Sequence, residues 1–594
     1  MEDYAFLSDC HSTALVSKEG SIDWACSRRF DHGSVFGRLL DFDRGGYFSI
    51  RPSGNIEEVS RRYLPSTLVL ETTMKTRTGT IRLIDAFAMR SGGAANPRAQ
   101  LMRRIEGVQG EVEVTVDIEP RFEYGSVQPW LRDHGNGTFS AVGGEDALVI
   151  HTDIDLALDR ESFSLSATTT VGEGESRTVT AVSQPAHLID ISQADASAVA
   201  EYLQETVEWW EQWSEATDVS GPFSDLLSRS AVVLKGLCCA PTGAVIAAPT
   251  TSLPEVVGGS WNWDYRYCWI RDATLTLEAL SEVGHLEVAQ GFRDFVMRSS
   301  AGHGRELQVL FGPYGERRLT EVELDLEGWR ESRPVRIGNR AAGQTQLDVY
   351  GHLLDAAHLW QRRDTAIDPD EWRFLATVVD EAVRRWEEPD QGVWELRGAP
   401  RQYVHSKVMV WVAIDRGIRI VEENDLEDPG VDLGSWRRAR DEVRHAVETR
   451  GIDPDRGNFV QHFGATEVDA SLLKLPLVGF VDANDERMIT TVDAIRKELA
   501  VEPTGFLRRY RSDDEEGVFL LCSFWLVEIL ALQGKVDEAR ELFERLTSVG
   551  NDLGLFAEEY DVPRSELVGN FPQAYTHLGL IAAEKRLRKA TANG

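Results

Sequence analysis

The chain has 594 residues, 42% of them apolar and 27% charged, as in soluble globular proteins, and it is too long for one ordinary core, so two large domains are expected. A formal net charge of −34 argues against nucleic acids and anionic membranes as partners, because both are polyanions.

The start, Met1-Glu2-Asp3-Tyr4-Ala5-Phe6-Leu7, has neither a basic cluster nor a signal-like apolar core. From about residue 10 to 190 the pattern alternates with a period of two. Glu111 to Ile118, Ala147 to Thr152, Phe163 to Thr169 and Arg177 to Ser183 read as strands separated by glycine-rich or acidic turns such as Gly135-Asn136-Gly137. An antiparallel β-sandwich is expected over residues 1–194. Asp195 then caps a predicted linker helix within 195–222, whose Trp209, Trp210 and Trp213 share one face suited to packing between domains or to stacking on a sugar.

From about residue 223 the period becomes 3.6. Twelve helices are expected, at 223–239, 271–283, 286–300, 344–362, 370–387, 406–423, 432–449, 467–477, 484–498, 519–533, 536–549 and 571–588. Short and long connections alternate between them. Twelve antiparallel helices with that rhythm suit an (α/α)6 barrel over 223–594, whose long loops all emerge on one rim, where function concentrates. No apolar run reaches the length of a membrane span; Leu520 to Leu532 is too short and contains Glu528. The six cysteines (Cys10, Cys26, Cys238, Cys239, Cys268 and Cys522) show no C-x-x-C spacing and sit mostly in apolar patterns, so free buried thiols and a cytoplasmic protein are expected.

Two rim segments carry the chemistry. Trp261-Asn262-Trp263-Asp264-Tyr265-Arg266-Tyr267-Cys268-Trp269-Ile270-Arg271-Asp272 packs five aromatic rings and a terminal Arg-Asp pair into one stretch. Flat rings cover the apolar faces of a sugar, while a guanidinium and a carboxylate bond its hydroxyls. The alternative is a helix-start ion pair with Asp272 facing the dipole. In Gly392-Val393-Trp394-Glu395, a carboxyl stands beside an indole, an apolar neighbour able to keep it protonated as a general acid.

With these residues in view, the chain resembles glycoside hydrolase family 15, the glucoamylase, glucodextranase and trehalase family, in its actinobacterial trehalase branch. The resemblance runs through Tyr4-Ala5-Phe6-Leu7-Ser8-Asp9-Cys10, Gly20-Ser21-Ile22-Asp23-Trp24, Thr250-Thr251-Ser252-Leu253-Pro254-Glu255, Ser332 to Asn339 and Gly569-Asn570-Phe571-Pro572-Gln573-Ala574. It implies that Glu395 is the general acid and that Glu558, in preference to Glu559, is the base of an inverting reaction. It implies that Arg271 and Asp272 hold a terminal glucose, with Tyr265, Trp269 and Trp263 as pocket aromatics and Trp394 beside the acid. Arg509, or its neighbour Arg508, would reach the sugar at the scissile bond. Gln346 and Asp348 are rim candidates that could equally be helix caps. His405 departs from the family's aromatic or small residue and reads as an exposed histidine or as support for the site.

The implied partner is a small α-glucoside, trehalose first and malto- or isomalto-oligosaccharides second, with no cofactor and no metal. A disaccharide phosphorylase shares the expected architecture, but would bind phosphate where Glu558 places a second carboxylate. A non-catalytic sugar binder would not need both carboxylates. Assembly into a homo-oligomer is left open.

Overall fold

The computed structural model of the protein describes residues 1–301, 304–362, 368–424, 430–512 and 516–593. The first part is antiparallel sheet, driven by alternation. Val112, Val114, Val116 and Ile118 are buried, while the residues between them are half-buried or exposed. They form the second half of one long strand, Gln100–Glu119. Its first half pairs with Gly79–Phe87 and Ser176–Pro185, its second with Tyr47–Pro52 and Ser164–Gly172. The strand therefore joins both halves of the domain, and fifteen strands make one continuous hydrogen-bonded network.

Helix α1, Val199–Ser214, bridges the two parts of the molecule. Asp195 caps the short turn that precedes it. On the sheet side, Thr206 accepts the Met89 amide at 3.0 Å. On the other, the Trp213 ring stacks on His285 with centroids 3.8 Å apart. The tryptophan face is thus packing surface.

Twelve further α-helices follow among the described residues: α2 (Ser224–Gly236), α3 (Ile270–Glu282), α4 (Leu286–Ser299), α5 (Asp348–Gln361), α6 (Pro369–Arg385), α7 (Val404–Glu423), α8 (Leu433–Arg450), α9 (Lys474–Leu477), α10 (Glu486–Leu499), α11 (Leu520–Leu532), α12 (Val536–Thr547) and α13 (Ala574–Asn593). The ring α3–α5–α7–α9–α11–α13 closes on itself, because α13 packs back against α3. The remaining six pack outside it. Burial follows position: α11 is buried on every side from Leu520 to Ala531, whereas α12 buries only the stripe Ala539, Leu542, Phe543 and Leu546. This is the (α/α)6 barrel.

One inner helix is shorter than its predicted span of 467–477. Asp469 caps a tight turn over Ala470–Leu473 that leads into a single α-helical turn, where Pro476 brings no amide and Gly479 takes φ +76°. The barrel and sheet are joined by buried contacts. Trp24 donates its indole N–H to the Pro249 carbonyl at 2.8 Å, and Ser8 donates to the Gly236 carbonyl at 2.7 Å.

Candidate active site

Every inner helix is entered from a long connection: 237–269, 300–347, 386–403, 451–469, 500–519 and 548–573. These connections and the first turns of the inner helices build one rim. Five of the six connections line a cavity of about 410 Å³. The chain therefore brings side chains hundreds of residues apart into one pocket.

Glu395 ends a turn in which its own amide bonds the Gly392 carbonyl at 3.2 Å, and its φ is +56°. A non-glycine residue in that region costs on the order of 1–3 kcal/mol and persists where the surroundings fix it. Its carboxylate accepts the Trp269 indole N–H at 2.7 Å and lies 3.4 Å from Arg271 Nη2, while its carbonyl accepts Gln344 at 3.1 Å. The indole touching this carboxylate is thus that of Trp269. The Trp394 N–H turns to Asp469 at 3.1 Å, and its ring packs among Tyr510, Phe519 and Trp525. Burial holds the Asp469 carboxyl up at about 6.

Arg271 and Asp272 occupy the first turn of α3. Arg271 donates to the Val393 carbonyl at 2.9 Å, to Gln346 at 3.4 Å and to the Tyr575 hydroxyl in the first turn of α13. Asp348, in the first turn of α5, lies 3.9 Å from it. Gln346 and Asp348 consequently stand behind Arg271, outside the pocket lining. Burial pushes the Asp272 carboxyl up to about 7 against the opposing pull of Arg271. Its Oδ2 is buried without a hydrogen-bond partner, which suits it to receive a ligand hydroxyl.

Glu558, on the wall of the same pocket, accepts the Tyr265 hydroxyl at 2.8 Å. Burial first, and the nearby Glu255 carboxylate second, push its pKa well above the usual carboxylate range. Glu559 is the next residue and opens a short strand, Glu559–Asp561, so its side chain leaves on the other side. It reaches Arg509 at 3.3 Å and does not line the pocket. Arg509 lines it and Arg508 does not. Arg509 donates Nη2 to Glu255 at 2.6 Å and Nε to Glu516. One oxygen from each of Glu255, Glu516 and Glu559 falls within 4.8 Å of the others, and the Arg509 guanidinium pairs with all three.

Tyr265 and Trp269 meet edge to face, with centroids 5.5 Å apart. The two carboxylates are therefore gripped by adjoining rings of one segment. Trp263 is clamped between the guanidinium groups of Arg336 and Arg397, 4.5 and 4.0 Å from its ring centre.

His405 is buried, not exposed: the first turn of α7 carries it into the pocket wall. Burial first, then Lys474 and Arg271, lower its pKa to about 3, so its imidazole is neutral. Sequence reading missed Tyr575, Glu255, Gln344, Gln573 and Lys474 as pocket residues. For Tyr575 a signal existed: it occupies the first turn of an inner helix, as Arg271 does.

Taken together, an (α/α)6 barrel with an aromatic pocket lined by the carboxylates Glu395 and Glu558 defines a glycoside hydrolase. A model of glycosyl hydrolases family 15 matches residues 221–585, and one described as trehalase-like, N-terminal matches residues 1–198. The trehalase of Mycolicibacterium smegmatis is 40% identical over 98% of this chain and 90% of its own length. That of Thermoplasma volcanium is 34% identical over 99% and 93%. A bacterial glucoamylase crystallised with acarbose shares the fold, with a TM-score of 0.75 at 11% identity, covering 99% of this chain and 94% of its own. The chain belongs to glycosyl hydrolase family 15.

Proposed function

We propose that the protein is an inverting, exo-acting α-glucosidase whose substrate is α,α-trehalose. The observation that carries the reaction type is the pair of carboxylates, Glu395 and Glu558, each bonded by one ring of the Tyr265–Trp269 pair on the wall of a single pocket. Near full-length likeness to trehalases, including the N-terminal part, supports the substrate.

Arg271 and Asp272 grip the outer hydroxyls of the bound glucose, whose faces lie against Trp269 and Tyr265. Glu395 gives its proton to the glycosidic oxygen, which leaves with the C–O electron pair as the second glucose. Glu558 takes a proton from the water that forms the new C–O bond at the anomeric carbon from the opposite side. That water requires a gap between the carboxyls of about 6.5–9.5 Å.

The free, buried state of all six cysteines supports a cytoplasmic setting. The test offers trehalose, maltose, isomaltose and soluble starch to the purified protein, followed by anomer-resolved NMR. Trehalose should yield equal amounts of β- and α-glucose at early times. Only α-glucose would mean retention, a glucose phosphate would mean phosphorolysis, and much faster cleavage of maltose or isomaltose would remove the trehalose assignment.

A further inference from the structure

The segment Thr250–Glu255 binds no sugar in the scheme above, yet it ends in a carboxylate on the pocket wall. Glu255 is 3% exposed, lines the same cavity as Glu558, and keeps its Oε1 free of any hydrogen-bond partner. Its other oxygen is bonded to Arg509 at 2.6 Å.

The charge inventory of this wall is uneven. Four carboxylates, Glu255, Glu516, Glu558 and Glu559, surround one guanidinium. Arg509 bonds or pairs with three of them and makes no hydrogen bond or ion pair with Glu558 among the described contacts. Glu558 keeps only the neutral Tyr265 hydroxyl as donor, and its Oε2 has no partner. In a dry site, a carboxylate held ionised by an arginine raises the proton affinity of a second carboxylate beside it.

We propose that Glu255, bonded to Arg509 on the wall of the cavity it shares with Glu558, is a positioning residue of the reaction whose charge acts on Glu558. This rests on the reading of Glu558 as the base. The titratable groups whose charges act on Glu558 are Glu255, Arg509, Glu516 and the adjacent Glu559, with the Tyr265 hydroxyl bonded to it; burial raises the proton affinity of Glu255 too, and Arg509 opposes that rise. Burial and Glu255 push its proton affinity up, whereas Arg509 and the Tyr265 hydroxyl oppose them. A general base must be ionised to act, so activity should be lost as pH falls through that raised value. Removing the Glu255 charge lowers the value and moves the loss to more acid pH.

The experiment is the pH profile of kcat/KM and kcat on trehalose for the wild type, Glu255→Gln, Glu255→Asp and Glu558→Gln. Gln keeps an acceptor for Arg509 but no charge; Asp keeps the charge. In Glu255→Gln the acid limb should move down by roughly one pH unit, and plateau kcat should fall about ten-fold as the base weakens. Glu255→Asp should retain most of the wild-type limb position. An unmoved limb in a folded Glu255→Gln, with Glu558→Gln inactive, overturns this inference and leaves the base assignment standing. Normal turnover by Glu558→Gln overturns the assignment itself.

Discussion

At the scale of single residues, adjacent side chains with the same chemistry have different fates because backbone direction separates them. Glu558 faces Tyr265 in the pocket, while Glu559 faces Arg509 behind it. Glu395→Gln and Glu558→Gln should each lower kcat by about 10²–10⁴-fold or more with folding intact. In Glu559→Gln turnover should fall much less, and a reversed order in steady-state assays would move the base by one position. Gly569 is a sharper probe. Its φ is +83°, and an added Cβ would stand 3.0 Å from Glu558 Cβ and 3.1 Å from its Oε2. Gly569→Ala should therefore cost about 1–3 kcal/mol of stability and displace Glu558, the proposed base, whereas Gly54→Ala, in open space, should leave turnover unchanged. Wild-type kcat in Gly569→Ala would show that Glu558 tolerates displacement. The motifs made Glu558 and Arg509 legible in the sequence, because each falls in a recognisable string. Glu255 also ends a recognisable string, Thr250 to Glu255, but its place in the pocket was not legible there, nor was that of Tyr575, since nothing local distinguishes a pocket glutamate or tyrosine from a core one until the ring of helices closes.

Elements explain why the pocket survives on loops. The connection 237–269 carries Trp261, Trp263, Tyr265 and Trp269 of the aromatic wall with little regular secondary structure beyond the short strand Cys268–Trp269, and it is clasped from the far end of the chain. Asn570 accepts the Thr250 hydroxyl at 2.8 Å and donates to the Trp263 carbonyl at 3.0 Å, while Thr250 also accepts the Phe571 amide at 3.1 Å. The Gly569 amide bonds the Pro254 carbonyl at 2.8 Å. Two motifs more than 300 residues apart thus form one polar seam, and Tyr265 lies between its stitches. Asn570→Ala removes the acceptor of the Thr250 hydroxyl and one of two donors to the Trp263 carbonyl, which keeps the Ser252 amide, so the loss should be about 0.5–1.5 kcal/mol for each bond. Thermal unfolding should register that loss, and kcat should fall as well because Tyr265 loses its frame. Lost stability with unchanged kcat would make the seam purely structural. The helices themselves were readable from period and caps to within a few residues, apart from α9. There, the apolar pattern begins before the helix does, because Asp469 caps a tight turn over Ala470–Leu473 and only Lys474–Leu477 is α-helical.

Over the whole molecule, the sheet domain supplies no residue to the pocket lining, yet it holds the connection that does. Arg266 shows how. It is fully buried, donates to Asp264 at 2.8 and 2.7 Å, and reaches across to the His32 carbonyl of the sheet domain at 2.8 Å. Trp24 and Tyr124 of that domain lie against its guanidinium, 5.9 and 5.4 Å from their ring centres. Asp264 in turn accepts the Gly338 amide at 3.1 Å, so one ion pair joins the sheet domain and two barrel connections. No local pattern announces this, because the partner lies more than 230 residues away. Arg266→Met would strand Asp264 as an unpaired buried anion, a change worth about 3–5 kcal/mol. Since the contact belongs to both domains, they should melt together. The wild type is expected to show one unfolding transition by far-UV circular dichroism and tryptophan fluorescence, and the variant one transition at lower temperature with activity lost in step. Two separated transitions, with the sheet domain melting as in the wild type, would show that the domains are only neighbours and that the pocket loops are held by the barrel alone.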